Sequence, residues 1–227
     1  MKWSNHNLMW GRPLRSIFAM YNNKKLSFNY EHLDATDEVI IEKDLIIKTK
    51  KIKDFKDYLN FLKSNRIIVD HKEREEIIIK KISSFSQSKQ YKENLNTKLL
   101  EEVINIVEDP NLLHINFNKD YLEIPKEIII STLEKHQRYF PIFDSRDRLT
   151  NHFFVVANKK DEKKLITLGN KRVVDARLAD AKFFWDKDRS KNLIKQIANL
   201  KSIIFYEKLG TIYDKTQRLR QLAGLLS

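Results

Sequence analysis

Gly169-Asn170-Lys171-Arg172-Val173-Val174-Asp175-Ala176-Arg177-Leu178-Ala179-Asp180-Ala181-Lys182-Phe183-Phe184-Trp185 is the stretch that decides how the chain divides. At 3.6 residues per turn, Val174, Leu178, Ala181 and Trp185 fall on one stripe and Arg177, Asp180 and Phe184 on the next, so the run reads as an amphipathic helix. Arg177 and Asp180 stand at i,i+3, where opposite charges can pair. Lys171, Arg172, Lys182 and, just beyond, Arg189 are cations of the kind that hold phosphates, and Phe183 or Trp185 offers a ring on which an unpaired base can stack. The bland reading of the same residues is a helix with aromatics in the core and charges in water.

Outward from this helix the two sides differ. From Lys159 onward the hydrophobic spacing is helical throughout, with Leu219, Leu222, Leu225 and Leu226 keeping the period past Gly224 to the end, as if the chain were cut from a longer one. Before Lys159, strands alternate with helices. Charge changes at the same place: residues 159–227 hold 17 basic and 8 acidic side chains, a net of +9, against +3 for residues 1–158. The expectation is an α+β chain with a mixed sheet-and-helix body at 1–158 and a basic, all-helical segment at 159–227. A concentrated basic surface attracts polyanions, nucleic acid first among them.

Within the body, Asn22-Asn23-Lys24 reads as the turn of a hairpin spanning Leu14 to Phe28, because asparagine tolerates the left-handed backbone of tight turns. Val39-Ile40-Ile41 and Leu45-Ile46-Ile47 form a second hairpin around Glu42-Lys43-Asp44. Ile52, Phe55, Tyr58, Leu59 and Leu62 mark a helix that stops at Asn65-Arg66, followed by a short strand at Ile67-Ile68-Val69. Asp70, with Glu73 three residues on, caps a helix to about Phe85, and the polar run Ser83 to Asn96 reads as a mobile connection. Leu99 to Val107 is a helix ended before Pro110, and Leu112 to Phe117 a strand. Pro125 opens a helix with a polar end at His136-Gln137-Arg138. Tyr139-Phe143 and His152-Ala157 are strands joined by a charged turn at Asp144–Arg148.

Several chemistries find no support. The chain has no cysteine, hence no disulfide, thiolate metal site or cysteine nucleophile. Its four glycines lie far apart, in no phosphate-cradling loop, and its six histidines fall in no metal-ligand spacing. Glu73, Glu75 and Glu76 read as solvated helix partners of Lys72 and Lys80 rather than as an acid/base pair. No apolar run reaches the roughly 18 residues of a membrane span, and the start lacks a signal-peptide core.

Taken together, the quoted stretch, Asp188-Arg189, and Lys208-Leu209-Gly210-Thr211-Ile212-Tyr213-Asp214-Lys215 with Arg218 resemble the beta subunit of bacterial glycyl-tRNA synthetases. So do Lys2-Trp3 with Arg12-Pro13-Leu14-Arg15, Leu99-Leu100-Glu101-Glu102-Val103 with Val107-Glu108-Asp109-Pro110, His136-Gln137-Arg138-Tyr139-Phe140, and Phe154-Val155-Val156-Ala157-Asn158. These motifs occur in order over essentially the whole chain. Two departures stand out: Asp175 occupies a position usually held by arginine, and the G-H-R-F element expected near Val39 to Thr49 is missing.

The resemblance implies a body similar to the B3/B4 region of phenylalanyl-tRNA synthetase at 1–158, and the start of an HD-like helical domain at 159–227. It implies a cytoplasmic ligase that joins glycine to its tRNA. ATP and glycine are then handled by a separate alpha subunit, leaving no cofactor and no catalytic residue here. Expected partners are glycine tRNA and the alpha subunit. The residues expected to touch RNA are Lys171, Arg172, Arg177, Lys182 and Arg189 on phosphates, with His136 and Gln137 as polar contacts. A subunit-assembly scaffold is the main alternative. Hydrolytic editing is weaker, because a pocket sized for glycine rejects larger amino acids unaided.

Overall fold

The computed structural model describes residues 5, 7, 9, 11–43, 45–93 and 95–226. Lys2 and Trp3 of the first family-like motif and Asp44 of the second hairpin lie outside them. The chain is a mixed α+β protein whose elements gather into two compact units interleaved along the sequence: residues 1–89, 95–113 and 156–160 in one, and 90–94, 114–155 and 161–227 in the other. The sequence reading placed a single division after residue 158, a position that falls inside the short 156–160 segment of the first unit.

In chain order, β1 (Ile17–Phe18), β2 (Met20–Tyr21), β3 (Lys24–Lys25), β4 (Asn29–Tyr30), β5 (Leu33–Thr36), β6 (Glu38–Lys43) and β7 (Ile46–Lys51) open the first unit, followed by α1 (Phe55–Ser64) and α2 (His71–Lys89). The expected first hairpin is the β2–β3 pair, with Asn22 and Asn23 at φ 47° and 60°, the left-handed conformation for which asparagine is suited. The expected second hairpin is β6–β7, antiparallel from Glu38↔Lys51 to Lys43↔Ile46. Val39, Ile41, Ile52 and Leu62 form a core beneath them, with Phe18 stacked on Tyr58 at 5.3 Å between ring centroids.

Three expectations for this unit need correction. Ile52 is buried but lies before α1, which begins only after Asp54 accepts the Asp57 N–H at 2.7 Å. Ile67–Val69 is not a strand: the carbonyls of Ile68 and Val69 go to the Arg74 guanidinium at 2.6 and 2.8 Å, so they are unavailable for a ladder. The polar run from Ser83, expected to be a connection, is helix as far as Lys89. Asp70 does cap α2, accepting from the Lys72 N–H at 2.8 Å, but the helix runs to Lys89, well past Phe85. Ser86 continues the buried stripe of Ile78 and Ile82 at four-residue spacing, and hydrophobicity alone cannot register a buried serine.

Beyond α2 come β8 (Tyr91–Lys92), α3 (Thr97–Ile106) and β9 (Asn111–Asn116). α3 is capped by Asn96 and buries Leu99, Leu100, Val103 and Ile104. After it, the Asn158 side chain accepts from the Glu108 and Asp109 N–H groups at 2.7 and 3.0 Å. Two of the family-like motifs thus meet in one turn and serve architecture.

A 3-10 turn (Lys119–Glu123), α4 (Lys126–Ser131) and a π-helical turn (Thr132–Gln137) follow, then β10 (Phe140–Asp144) and β11 (Leu149–Ala157). The strands assemble as β8-β10-β11-β9, with Phe140↔Phe154 and Asp144↔Tyr91 among the pairs. The charged turn is closed by Asp144, which accepts from the Arg146 and Arg148 backbone N–H groups, both at 2.9 Å, and from the Arg148 guanidinium.

The last segments are α5 (Leu165–Arg189), α6 (Leu193–Gln196), a 3-10 turn (Ile197–Ser202), β12 (Ile204–Tyr206), β13 (Gly210–Thr211) and α7 (Ile212–Leu226). The antiparallel β12–β13 pair corrects the expectation of helix alone after Lys159. Gly210, at φ 77°, makes the return. A Cβ there would lie 2.5 Å from the Asp214 carboxylate.

Candidate functional site

α5 carries five of the seven residues expected to touch RNA. Its start is built by Asp161, whose carboxylate accepts from the Ile166 N–H at 3.0 Å, the Thr167 N–H at 2.7 Å and the Thr167 hydroxyl at 2.6 Å. Partial desolvation pushes this carboxyl up, but the hydrogen bonds from Thr167, Ile166 and Leu165 together outweigh it and hold its pKa below the usual carboxylate value. Val174 and Leu178 are fully buried, as their spacing predicts, with Ala181 and Trp185 half-buried on the same stripe.

The cations of α5 divide into two kinds. Lys171 donates to the Asn116 carbonyl at 3.0 Å and pairs with Asp175 at 3.0 Å. Lys182 pairs with Glu123 at 2.8 Å and Asp186 at 3.2 Å, and these hydrogen bonds raise its pKa above the usual lysine value. Both lysines lash the helix to its own unit. Arg172, Arg177 and Arg189 differ: all three are exposed, and none makes a hydrogen bond or ion pair to another described residue. Arg189 lies over the Trp185 ring, 5.8 Å from its centroid.

The Arg177–Asp180 pair suggested by their spacing does not form; both side chains are exposed, where such a pair gains little over water. Arg177 instead acts on Tyr139. Burial raises the pKa of that phenol, and the Arg177 charge opposes the rise. The Tyr139 hydroxyl donates to Asn170 Oδ1, and the Asn170 amide donates to the Ile166 carbonyl at 2.7 Å. A second pair of family-like motifs is therefore joined by one hydrogen bond.

Asp175, the departure from the family pattern, has a structural post. It accepts from the Asn118 N–H at 3.2 Å while pairing with Lys171. This adds to the clamp between α5 and the chain that leads into the 3-10 turn.

Phe183 and Phe184 are 60% and 58% exposed and meet edge to face at 5.4 Å. Periodicity places Phe184 on a stripe with Arg177 and Asp180 and does not reveal that it pairs with Phe183 in the open. His136 is exposed and Gln137 half-buried, at the end of the π-helical turn where Arg138 takes φ 61°.

The helix thus offers the exposed guanidinium groups of Arg172 and Arg177, a third at Arg189 stacked over Trp185, and the exposed rings of Phe183, which Lys187 overlies, and Phe184. Arginine binds phosphate in a forked geometry, and aromatic faces stack on bases. Among the described residues, no three His, Cys, Asp or Glu side chains converge to hold a metal, and no helix is long and apolar enough to cross a membrane.

Residues 1–227 match the family described as "Glycyl-tRNA synthetase beta subunit". The chain is 36% identical over 226 residues to the glycine–tRNA ligase beta subunit of Clostridioides difficile, covering 99% of this chain and 33% of that one. It is 34% identical over 228 residues to the Listeria welshimeri protein of the same name, covering 100% and 33%, and 36% identical over 226 residues to that of Buchnera aphidicola, covering 98% and 32%. The chain spans about a third of the length of the curated relatives it matches.

Proposed function

This chain belongs to the glycyl-tRNA synthetase beta subunit family, and from that premise we propose that it is the part of a glycine–tRNA ligase that binds and positions tRNA. The observation that carries the reading is the exposed surface of α5, where Arg172 and Arg177 have no protein acceptor among the described residues, Phe183 and Phe184 are exposed, and Arg189 lies over Trp185 at the helix end. Phosphate contacts of this kind set the register of a nucleic acid without reading its sequence. His136 and Gln137 supply polar contacts. Lys171 and Lys182 act indirectly, by holding α5 in place.

In this reading residues 1–158 correspond to a B3/B4-like body and 159–227 to the start of an HD-like helical domain. Activation of glycine with ATP belongs to a separate alpha subunit, with which the beta subunit assembles in the cytoplasm. The segment supplies no cofactor ligand and no catalytic group.

The test is equilibrium binding of fluorescent glycine tRNA to the chain across a salt series, beside a variant carrying Arg172→Ala, Arg177→Ala and Arg189→Ala. The expected result is salt-sensitive binding by the parent. In the variant the slope of log affinity against log salt becomes shallower by about 2–3, at roughly 0.9 per lost phosphate contact. Undiminished affinity and slope in the variant would remove the α5 face from the interface.

A further inference from the structure

Residues 1–158 carry a net charge of only +3, yet one place in the first unit concentrates positive charge. Across the β6–β7 hairpin Ile41 pairs with Lys48 and Lys43 with Ile46, so these four side chains share one face. That face, with Ser64, Asn65 and Arg66 at the end of α1 and Lys159 from the 156–160 segment, lines a cleft of about 270 Å³. Four of its lining residues are cations and none is a carboxylate. Asp109, outside the lining, approaches one of them, Lys43, at 3.8 Å.

The end of a helix presents carbonyl oxygens and repels anions unless they are covered. Here the Asn65 and Arg66 N–H groups take up the Leu62 and Lys63 carbonyls, both at 3.0 Å, and two lysines add positive charge beside them. Lys43 donates to the Arg66 carbonyl at 3.2 Å, and Lys48 donates to Asn65 Oδ1 at 2.7 Å. An ammonium has three donors, so each lysine keeps capacity for an anion while screening the acceptors behind it. Arg66 holds φ 60° and is exposed, and its guanidinium has no protein acceptor among the described residues. Ile46, 59% exposed, gives the cleft an open apolar wall. The volume falls below the roughly 300–1,000 Å³ of a small-molecule pocket, and the lining suits a charged group approached from solvent.

We propose that this cleft is a second phosphate site, taking a backbone phosphate of the RNA through Lys43, Lys48, Arg66 and Lys159. The source of the phosphate rests on the tRNA reading above; the site itself rests on the cleft. It occupies the hairpin where the family's G-H-R-F element is missing.

The test uses Lys48→Gln with Arg66→Asn. Glutamine keeps a donor for Asn65, and asparagine tolerates the left-handed backbone at position 66, so the thermal midpoint should stay within a few degrees of the parent. Arg66→Asn alone serves as the milder variant. With glycine tRNA the double variant is expected to bind about 3–10-fold more weakly at low salt, with a slope shallower by about 1. Inorganic phosphate is expected to shift the amide resonances of Asn65 and Arg66 in the parent and not in the double variant. If the parent binds RNA and the double variant binds it equally well, the cleft is overturned and the α5 reading stands. If the parent binds no RNA but phosphate shifts those amides, the tRNA reading falls and the site is one for small phosphates. If neither happens, both fall.

Discussion

α5 and α7 both open on motifs resembling the same family, and the two helices are held by opposite means. α5 is held from outside itself: Val174 and Leu178 are fully buried, and Asn170, Lys171, Asp175 and Lys182 are bound to Tyr139, Asn116, Asn118 and Glu123. α7 is held locally, by its first turns and the residues just before it, with Lys201 over the Tyr213 ring at 4.9 Å and Lys215 over the Phe205 ring at 4.2 Å. The Thr211 N–H and hydroxyl donate to the Asp214 carboxylate at 2.7 and 2.8 Å, and the Asp214 N–H donates back to the Thr211 hydroxyl at 3.2 Å, a reciprocal capping box. Arg218 adds a bond to the Leu209 carbonyl at 3.0 Å, and no residue of α7 is buried. One motif therefore specifies packing, and the other specifies a local backbone shape.

The sharpest way to break this contrast is Leu178→Ala. Truncating a fully buried leucine removes transfer energy and leaves a cavity, so denaturant unfolding should report a loss of about 2–5 kcal/mol. A loss below about 1 kcal/mol would mean that α5 does not depend on its buried stripe, and the distinction would collapse.

Gly210→Ala probes the other side. An alanine must adopt φ 77° and place its Cβ against Asp214, which costs about 1–2 kcal/mol in backbone strain and displaces the carboxylate from Thr211. The damage should be local. Amide hydrogen exchange should quicken in the first turn of α7 while the amides around Val174 keep their protection. Equal loss of protection in both helices would show that α7 is tied to the rest of its unit as tightly as α5.

The same contrast explains what could be read in advance. Features encoded by near neighbours were legible: the turns at Asn22-Asn23 and Asp144–Arg148, the Asp70 cap, and the Val174–Leu178 stripe. Features that need a distant partner were not. Lys171 and Lys182 look like Arg172 and Arg177 in sequence, and only the Asn116 carbonyl and Glu123, 55 and 59 residues away, reveal that the lysines are already engaged. The cationic cleft escaped for the same reason, since Lys43, Lys48, Arg66 and Lys159 come from three separated segments. Serine hid the last turn of α2 differently: Ser86 is buried at a helical spacing, but it carries no hydrophobic signal.

The smallest expected effect is at Leu222, in the C-terminal third of α7 and 55% exposed. A leucine at helical period invites the inference that it is core, and the sequence places Leu219, Leu222 and Leu225 as regularly as it places Val174 and Leu178. In this chain, however, Leu222 has little buried surface to lose. Leu222→Gln should therefore change the unfolding free energy by no more than about 0.5 kcal/mol, since glutamine is nearly as good a helix former and the site makes few apolar contacts. A cost approaching that of Leu178→Ala would show that the leucine face of α7 is covered in solution, and α7 would then join α5 as a helix held by packing. A negligible cost leaves the capping box at Thr211 and Asp214 and the contacts of the first turns as what holds α7.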